Sequence, residues 1–235
     1  MHLILTGATG TVGAPILRHC LAAPSITQLS ILSRRPFALP PNAAKARVIV
    51  HADYAAYPPD VLAALHGAEA CIWAQGTSQT AVSKDEYVRI TYDFPLAAAK
   101  AFPALSETGK FVFVHVSANG AEPTARTLYG KTKARTEAAL LALPPPLCVF
   151  NVRPGYVDPP EYHPRPGLAR RAVFYGLAPV LRALAPHVVT PTAPLARVCV
   201  DLALGDGGPL PVEDDVVAEG RTLLREAVRR LGADA

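Results

Sequence analysis

Three glycines at the start of the chain, Gly7, Gly10 and Gly13, follow directly on the apolar run Leu3-Ile4-Leu5. Few short patterns limit a fold as tightly. The apolar run predicts a first β-strand, and the helical spacing of Val12, Ile16, Leu17 and Leu21 predicts a helix close behind it. The G-x-x-G-x-x-G turn between them predicts the crossing where a pyrophosphate rests. One glycine serves a tight turn, one gives phosphate access to the backbone, and one allows close helix-to-strand packing. Thr9, Thr11 and Val12 complete the turn, where unpaired helix N–H groups and a partial positive charge face an anion.

The pattern repeats downstream. Leu29-Ser30-Ile31-Leu32-Ser33, Arg47-Val48-Ile49-Val50, Ala70-Cys71-Ile72-Trp73-Ala74, Phe111 to Val116 and Leu147 to Val152 read as further strands. Helical stretches alternate with them near Pro59–His66 and Asp85–Phe102. Ser83 is placed to cap the latter helix, Pro95 predicts a kink within it and Pro103 a stop. Such alternation predicts an α/β fold, a doubly wound parallel sheet of the Rossmann type, with ligands at the carboxyl ends of the strands. An amphipathic helix over Asp214–Leu231 completes the expectation.

The strand ends collect the candidate binding residues. Ser33, Arg34 and Arg35 close the second strand without an acid. Arginine at this position accommodates the 2′-phosphate of NADP, whereas an acid would hold the ribose hydroxyl of NAD. The expected cofactor is therefore NADP(H). Asp53 falls where a carboxylate can accept from an adenine amino group, or serve equally as a turn or cap residue. Gly76 and Thr77 follow the fourth strand, where small residues let backbone approach a cofactor.

Tyr129 and Lys133 are four residues apart, on one face of a helix. An ammonium beside a phenol favours the phenolate and lowers a pKa that is ordinarily about 10. Ser117, at the end of the fifth strand, can donate to the same oxygen. This trio polarises a carbonyl for hydride attack, or takes the proton of an alcohol in reverse.

These residues together resemble the short-chain dehydrogenase/reductases of the extended or atypical kind. The resemblance lies in Thr6–Gly13, Ser117, Tyr129 with Lys133, and Arg153-Pro154-Gly155. Val116–Ala121, Tyr129–Glu137 and Asn151–Gly155 are similar to the NAD(P)-binding group around the human Tat-interacting protein, which includes fungal epimerase-like proteins. The resemblance covers roughly residues 1–157. It implies Tyr129 as acid/base, Lys133 as the partner that binds the nicotinamide ribose and tunes Tyr129, and Ser117 as the group orienting the carbonyl. It also implies that Pro154 and Gly155 line the nicotinamide end. One departure is Thr91, where many members carry a relay asparagine.

Composition narrows the rest. A net charge of +4 over 235 residues, without runs of like charge, argues against nucleic acid as the main partner. The histidines show no metal-ligand spacing, and no metal is expected. The four cysteines are widely separated, and no charged leader precedes the first strand, which together predict a cytoplasmic protein with reduced thiols. The apolar stretch 172–189 carries Arg182, Pro179 and Pro186 and falls short of the roughly 20 clean residues of a membrane span.

One domain over 1–235 is expected, monomeric or homodimeric, with 156–192 forming a lid and substrate-binding region. The basic amphipathic stretch 168–184 within it suits closing the pocket, touching a partner or meeting a membrane surface. The expected activity is NADP(H)-dependent hydride transfer to or from a small carbonyl or alcohol. The alternatives are a non-enzymatic NADP(H)-binding sensor and, third, a nucleotide-sugar epimerase.

Overall fold

A computed structural model describes residues 1–157 and 188–233. The strands are β1 (His2–Thr6), β2 (Gln28–Ser33), β3 (Ala46–Val50), β4 (Ala68–Trp73), β5 (Phe111–Val116) and β6 (Leu147–Val152). They lie in the order β3-β2-β1-β4-β5-β6, all parallel. This order reverses between β1 and β4, and a doubly wound sheet opens its ligand crevice at that reversal.

Period-two alternation gives the sheet two unlike faces. Along β5, Val112, Val114 and Val116 pack with Leu3, Leu5 and Ile72 on an aliphatic face. That face is covered by α1 (Gly13–Ala22), α6 (Thr192–Leu204) and α7 (Arg225–Ala233). Phe111 and Phe113 point the other way and pack with Trp73, Tyr54, Phe94 and Phe102. The aromatic face lies under α2 (Pro59–Leu65), α4 (Phe94–Ala101) and α5 (Leu128–Leu141). Burying each large apolar side chain contributes about 1.5–3 kcal/mol.

The long helix expected over 85–102 is divided. Residues Lys84–Val88 form α3, capped by Ser83, whose hydroxyl accepts from the Glu86 N–H at 3.2 Å. A π-helical turn over Arg89–Asp93 separates α3 from α4, with the Phe94 N–H donating to the Arg89 carbonyl. The cause is Pro95. It has no N–H to offer the Thr91 carbonyl four residues back. The Thr136 hydroxyl, from α5, donates to that carbonyl instead at 3.0 Å.

The helix expected over 214–231 is corrected more heavily. Only Arg225–Ala233 is helical. Residues Val216–Val217 (β9) and Thr222–Leu223 (β10) form an antiparallel hairpin, and β10 extends the main sheet by pairing parallel to β6. The turn between them places Ala218, Glu219 and Gly220 at positive φ, which a helix excludes. A Cβ at Gly220 would lie 2.0 Å from the Leu210 carbonyl oxygen.

Tyr156–Val157 (β7) and Val189–Thr190 (β8) pair in a separate parallel ladder. Residues 158–187 between them, most of the region expected as a lid and including the helix expected over 168–184, lie outside the described residues. No helix of the described residues is long and apolar enough to cross a membrane.

Candidate active site

The carboxyl ends of β1, β2, β4 and β5 open on one cleft of about 720 Å³. Its near wall is the glycine turn. Gly7 has φ +70°, and a Cβ there would lie 2.4 Å from the Ala74 carbonyl oxygen. A Cβ at Gly13 would lie 2.0 Å from the Gly7 carbonyl oxygen. The Gly10 N–H donates to that carbonyl at 2.9 Å, which closes the turn. Gly7, Thr9, Gly10, Thr11 and Val12 line the cleft, while Gly13 packs behind them. Helix α1 starts without a side-chain cap and without an acid in its first turn. Such a helix end presents N–H groups and partial positive charge to an anion.

At the end of β2, Leu32, Ser33 and Arg34 line the cleft, with Tyr54 beside them. Arg34 is exposed, and no acid pairs with it among the described residues. Arg35 lies outside the lining. Its backbone carbonyl accepts from the Ser33 hydroxyl at 2.7 Å. Asp53 is also outside the lining and has a structural task, pairing with Arg89 at 3.2 Å and accepting from the Ala55 N–H at 3.1 Å. Of its two sequence readings, the turn residue matches this placement. Gly76 and Thr77 line the cleft as expected, together with Gln75 and Ser78.

The far wall holds Ser117, Tyr129 and Lys133. Ser117 is 5% exposed, and its hydroxyl has no hydrogen-bond partner among the described residues, although its N–H is fixed on the Val152 carbonyl at 2.7 Å. An orphaned buried hydroxyl costs about 1–3 kcal/mol, so its natural partner is a group entering the cleft. Thr127 caps α5 by accepting from the Gly130 N–H at 3.1 Å. The Gln79 side chain accepts from the Tyr129 N–H at 3.2 Å, closing a second donor of the helix start. Lys133 reaches down one turn later and donates to the Val116 carbonyl at 3.1 Å.

Electrostatics here depart from the sequence expectation. Burial raises the Tyr129 phenol above its ordinary value; it is not lowered. The ammonium of Lys133 is engaged with the Val116 carbonyl, and its own pKa is lowered to about 8 by burial, against the raising influence of Glu137. Below it, His115 and Asn151 form a buried pair at 3.0 Å, and burial next to Lys133 holds the imidazole neutral, down to about 3.

Pro154 and Gly155 stand behind the wall. The Pro154 carbonyl accepts from the Asn119 N–H at 2.8 Å, and the Gly155 N–H donates to the Thr190 hydroxyl at 2.9 Å. The next residue, Tyr156, lines the cleft in their place. Tyr54, Gln75 and Tyr156 escape a reading of the sequence. The one signal for them is their position two to four residues beyond a strand end. Thr91 is buried in the π-helical turn, outside the lining.

The cradle whose missing Cβ atoms make room at the turn, the uncapped α1 start and the orphaned Ser117 hydroxyl fit a nicotinamide dinucleotide lying across the cleft.

No protein-family model matches the chain. Among curated proteins, it is 42% identical over 143 residues to leucinostatins biosynthesis cluster protein T of Purpureocillium lilacinum, covering 61% of this chain and 52% of that protein. It is 35% identical over 144 residues to the mitochondrial protein FMP52 of Eremothecium gossypii, covering 61% of each. To botcinic acid biosynthesis cluster B protein 16 of Botryotinia fuckeliana it is 36% identical over 124 residues, or 47% of this chain and 78% of that protein. The chain thus spans about half to three-fifths of the first two relatives. The cytoplasmic placement expected from the sequence is overturned by the FMP52 relatives, which are named mitochondrial.

Among solved structures, a short-chain dehydrogenase/reductase from Saccharomyces cerevisiae superposes with a TM-score of 0.66 at 15% identity, covering 98% of both chains. A dTDP-glucose 4,6-dehydratase from Streptomyces venezuelae, solved with NAD bound, gives 0.63 at 16% identity, covering 86% of this chain and 72% of that one. The strand order, the glycine turn and these likenesses agree on the fold: the chain has the doubly wound, Rossmann-type α/β fold that these solved structures share.

Proposed function

We propose that the protein is an NADP(H)-dependent oxidoreductase that reduces a small carbonyl compound, or oxidises the corresponding alcohol. The observation that carries this reading is the unpartnered, buried Ser117 hydroxyl on the same cleft wall as Tyr129 and Lys133. A dinucleotide bound over the glycine turn supplies or accepts the hydride. The chain's own groups handle the substrate oxygen. Ser117 donates a hydrogen bond to it. The phenol of Tyr129, kept protonated by burial, donates the proton that the reduced oxygen needs. Lys133, charged below about pH 8, favours the phenolate left behind.

Arg34 supports NADP(H) over NAD(H), since a guanidinium without an acidic partner among the described residues suits a 2′-phosphate. Two relatives named for biosynthesis clusters, of leucinostatins and of botcinic acid, support a biosynthetic intermediate as substrate.

The test is a thermal-shift titration with NADPH and NADH, followed by turnover on a panel of aldehydes and ketones. NADPH is expected to stabilise the protein more than NADH, and Arg34→Ala to weaken NADPH alone by about 10-fold or more. Equal stabilisation by both cofactors sinks the NADP(H) assignment. Binding without Tyr129-dependent turnover replaces the enzyme with a sensor.

A further inference from the structure

Helix α5 carries Tyr129 and Lys133, yet its buried face gives apolar packing little to grip. The buried residues are Gly130, Thr132, Ala134, Thr136, Glu137 and Leu140, and of these Leu140 alone is large and apolar. Apolar contact is non-directional, so a face of small side chains leaves the rotation of the helix about its axis weakly set. Directional bonds must set it instead. One is the Thr136 hydroxyl on the Thr91 carbonyl at 3.0 Å. The other is made by Glu137.

Arg153, at the end of β6, is 15% exposed at its side chain and Glu137 5%. The Nε of Arg153 donates to both carboxylate oxygens of Glu137 at 3.0 Å, and its Nη2 to Oε2 at 2.6 Å. Its Nη1 donates to Glu122, in the loop between Ser117 and α5, at 3.2 Å. A guanidinium fork of this kind fixes direction as well as charge. The backbone around Arg153 holds the same neighbours. Its N–H donates to the Leu223 carbonyl of β10 at 2.8 Å. The carbonyls on either side of it, of Val152 and Pro154, accept from the N–H groups of Ser117 at 2.7 Å and Asn119 at 2.8 Å. Gly120 then packs on the first turn of α5, where a Cβ at Gly130 would lie 2.6 Å from the Gly120 carbonyl oxygen. One residue thus joins the Ser117 segment, the loop after it and α5. None of these bonds reaches the glycine turn.

A buried ion pair is a poor source of stability, because desolvation of the two charges offsets their attraction. Its best-attested use is to select one arrangement among several. We propose that Arg153 is a positioning residue for the side-chain wall of the cleft: its guanidinium, seated on Glu137 and Glu122, sets the rotation of α5 and with it the aim of Tyr129 and Lys133 into the cleft. Lys133 lies four residues and Tyr129 eight residues before Glu137, on one stripe of the helix, so a turn of α5 about its axis moves all three together. The consequence for turnover rests on the function proposed above. The placement of the wall does not.

The experiment is the double variant Arg153→Met/Glu137→Met, which exchanges the ion pair for unbranched apolar side chains, with the wild type and Glu122→Gln beside it. Its melting temperature is expected within about 4 °C of the wild type, because such exchanges are close to neutral. Amide exchange followed by NMR at Asn119 and Gly130 is expected to accelerate about 10-fold or more, while exchange at Gly10 in the glycine turn stays unchanged. In turnover, kcat falls about 10–100-fold and the KM for the dinucleotide changes less than about threefold. Glu122 is 57% exposed at its side chain, so Glu122→Gln does not threaten folding. It weakens one arm of the fork and accelerates exchange at Asn119 by about threefold. An ion pair that only stabilises the fold predicts a different pattern, a melting temperature lower by more than about 4 °C and exchange at Gly10 accelerated in step with Asn119. That pattern, or failure of the double variant to fold, overturns the proposal. Unchanged exchange at Asn119 and Gly130 in the double variant overturns it as well, and so does unchanged exchange at Asn119 in Glu122→Gln. Absence of turnover in the wild type refutes the reductase assignment, and the exchange pattern then decides the positioning role by itself.

Discussion

The two walls of the cleft are built from different materials. The wall at β1 is backbone. Gly7 and Gly13 are required because any Cβ would strike a carbonyl oxygen, at 2.4 Å and 2.0 Å. The wall at β5 is side chains. Ser117, Tyr129 and Lys133 are held by partners far off in sequence, such as the Val152 carbonyl under Ser117 and Gln79 on the Tyr129 N–H. A backbone wall tolerates no added atom but leaves no group to titrate. A side-chain wall can lose an atom and keep its shape, while its chemistry depends on pH. The contrast teaches that binding and reaction here should fail separately.

The strongest challenge to that separation is Gly13→Ala. Its methyl must displace the Gly7 carbonyl, so dinucleotide binding is expected to vanish and stability to fall by about 3 kcal/mol in urea unfolding. A variant that still binds would show the turn to be softer than its contacts imply. Tyr129→Phe attacks the other wall. Under the proposed reaction turnover should fall by about 10²–10⁴-fold while dinucleotide affinity and melting temperature stay unchanged, because in that proposal the phenolic oxygen serves the substrate and the ring remains. A matching loss of affinity would merge the two walls into one unit.

A pH series is gentler. Lys133 has a lowered pKa of about 8, so it loses its charge as pH rises through 8. The rate of carbonyl reduction should drop about 10-fold per unit above that point, whereas binding of the pyrophosphate at the glycine turn should not follow the same curve. The unfolded chain holds this proton up to about 10.5. Between the two values it binds more protons than the folded protein, so the Lys133 contribution to stability rises with pH in that window. The smallest expected effect is Arg35→Ala. Arg35 lies outside the cleft lining, and NADPH affinity should change less than about threefold, against 10-fold or more for Arg34→Ala. Equal effects would move the 2′-phosphate to a different seat.

The same contrast explains what is legible in the sequence. Backbone requirements leave glycines at fixed spacing, so the turn and the first crossover can be read from that spacing alone. Strands β5 and β6 are readable to the residue, because Phe111–Val116 and Leu147–Val152 are largely apolar runs. The hairpin β9–β10 is not. Its strands are two residues long, too short for any period, and they depend on β6 as a template. The division of the 85–102 helix is half visible. Pro95 announces a disturbance, but the Thr136 hydroxyl that satisfies the Thr91 carbonyl comes from another helix. The placement of Asp53 and Arg35 outside the lining has a related reason: a strand end tells which residues come near the cleft, and partners such as Arg89 decide which ones face it. The direction of the Tyr129 shift is hidden because i, i+4 spacing reports proximity and says nothing of burial.

The short ladder of β7 on β8 has a bearing on how such chains diversify. It brings the two ends of the stretch between 157 and 189 side by side, and Tyr156, at its entrance, is part of the cleft wall. Whatever sequence lies between therefore leaves and rejoins the frame at one point next to the reacting groups. In physical terms that stretch can be exchanged or lengthened at a closure entropy that grows only slowly with length, without shifting the register of any strand in the main sheet.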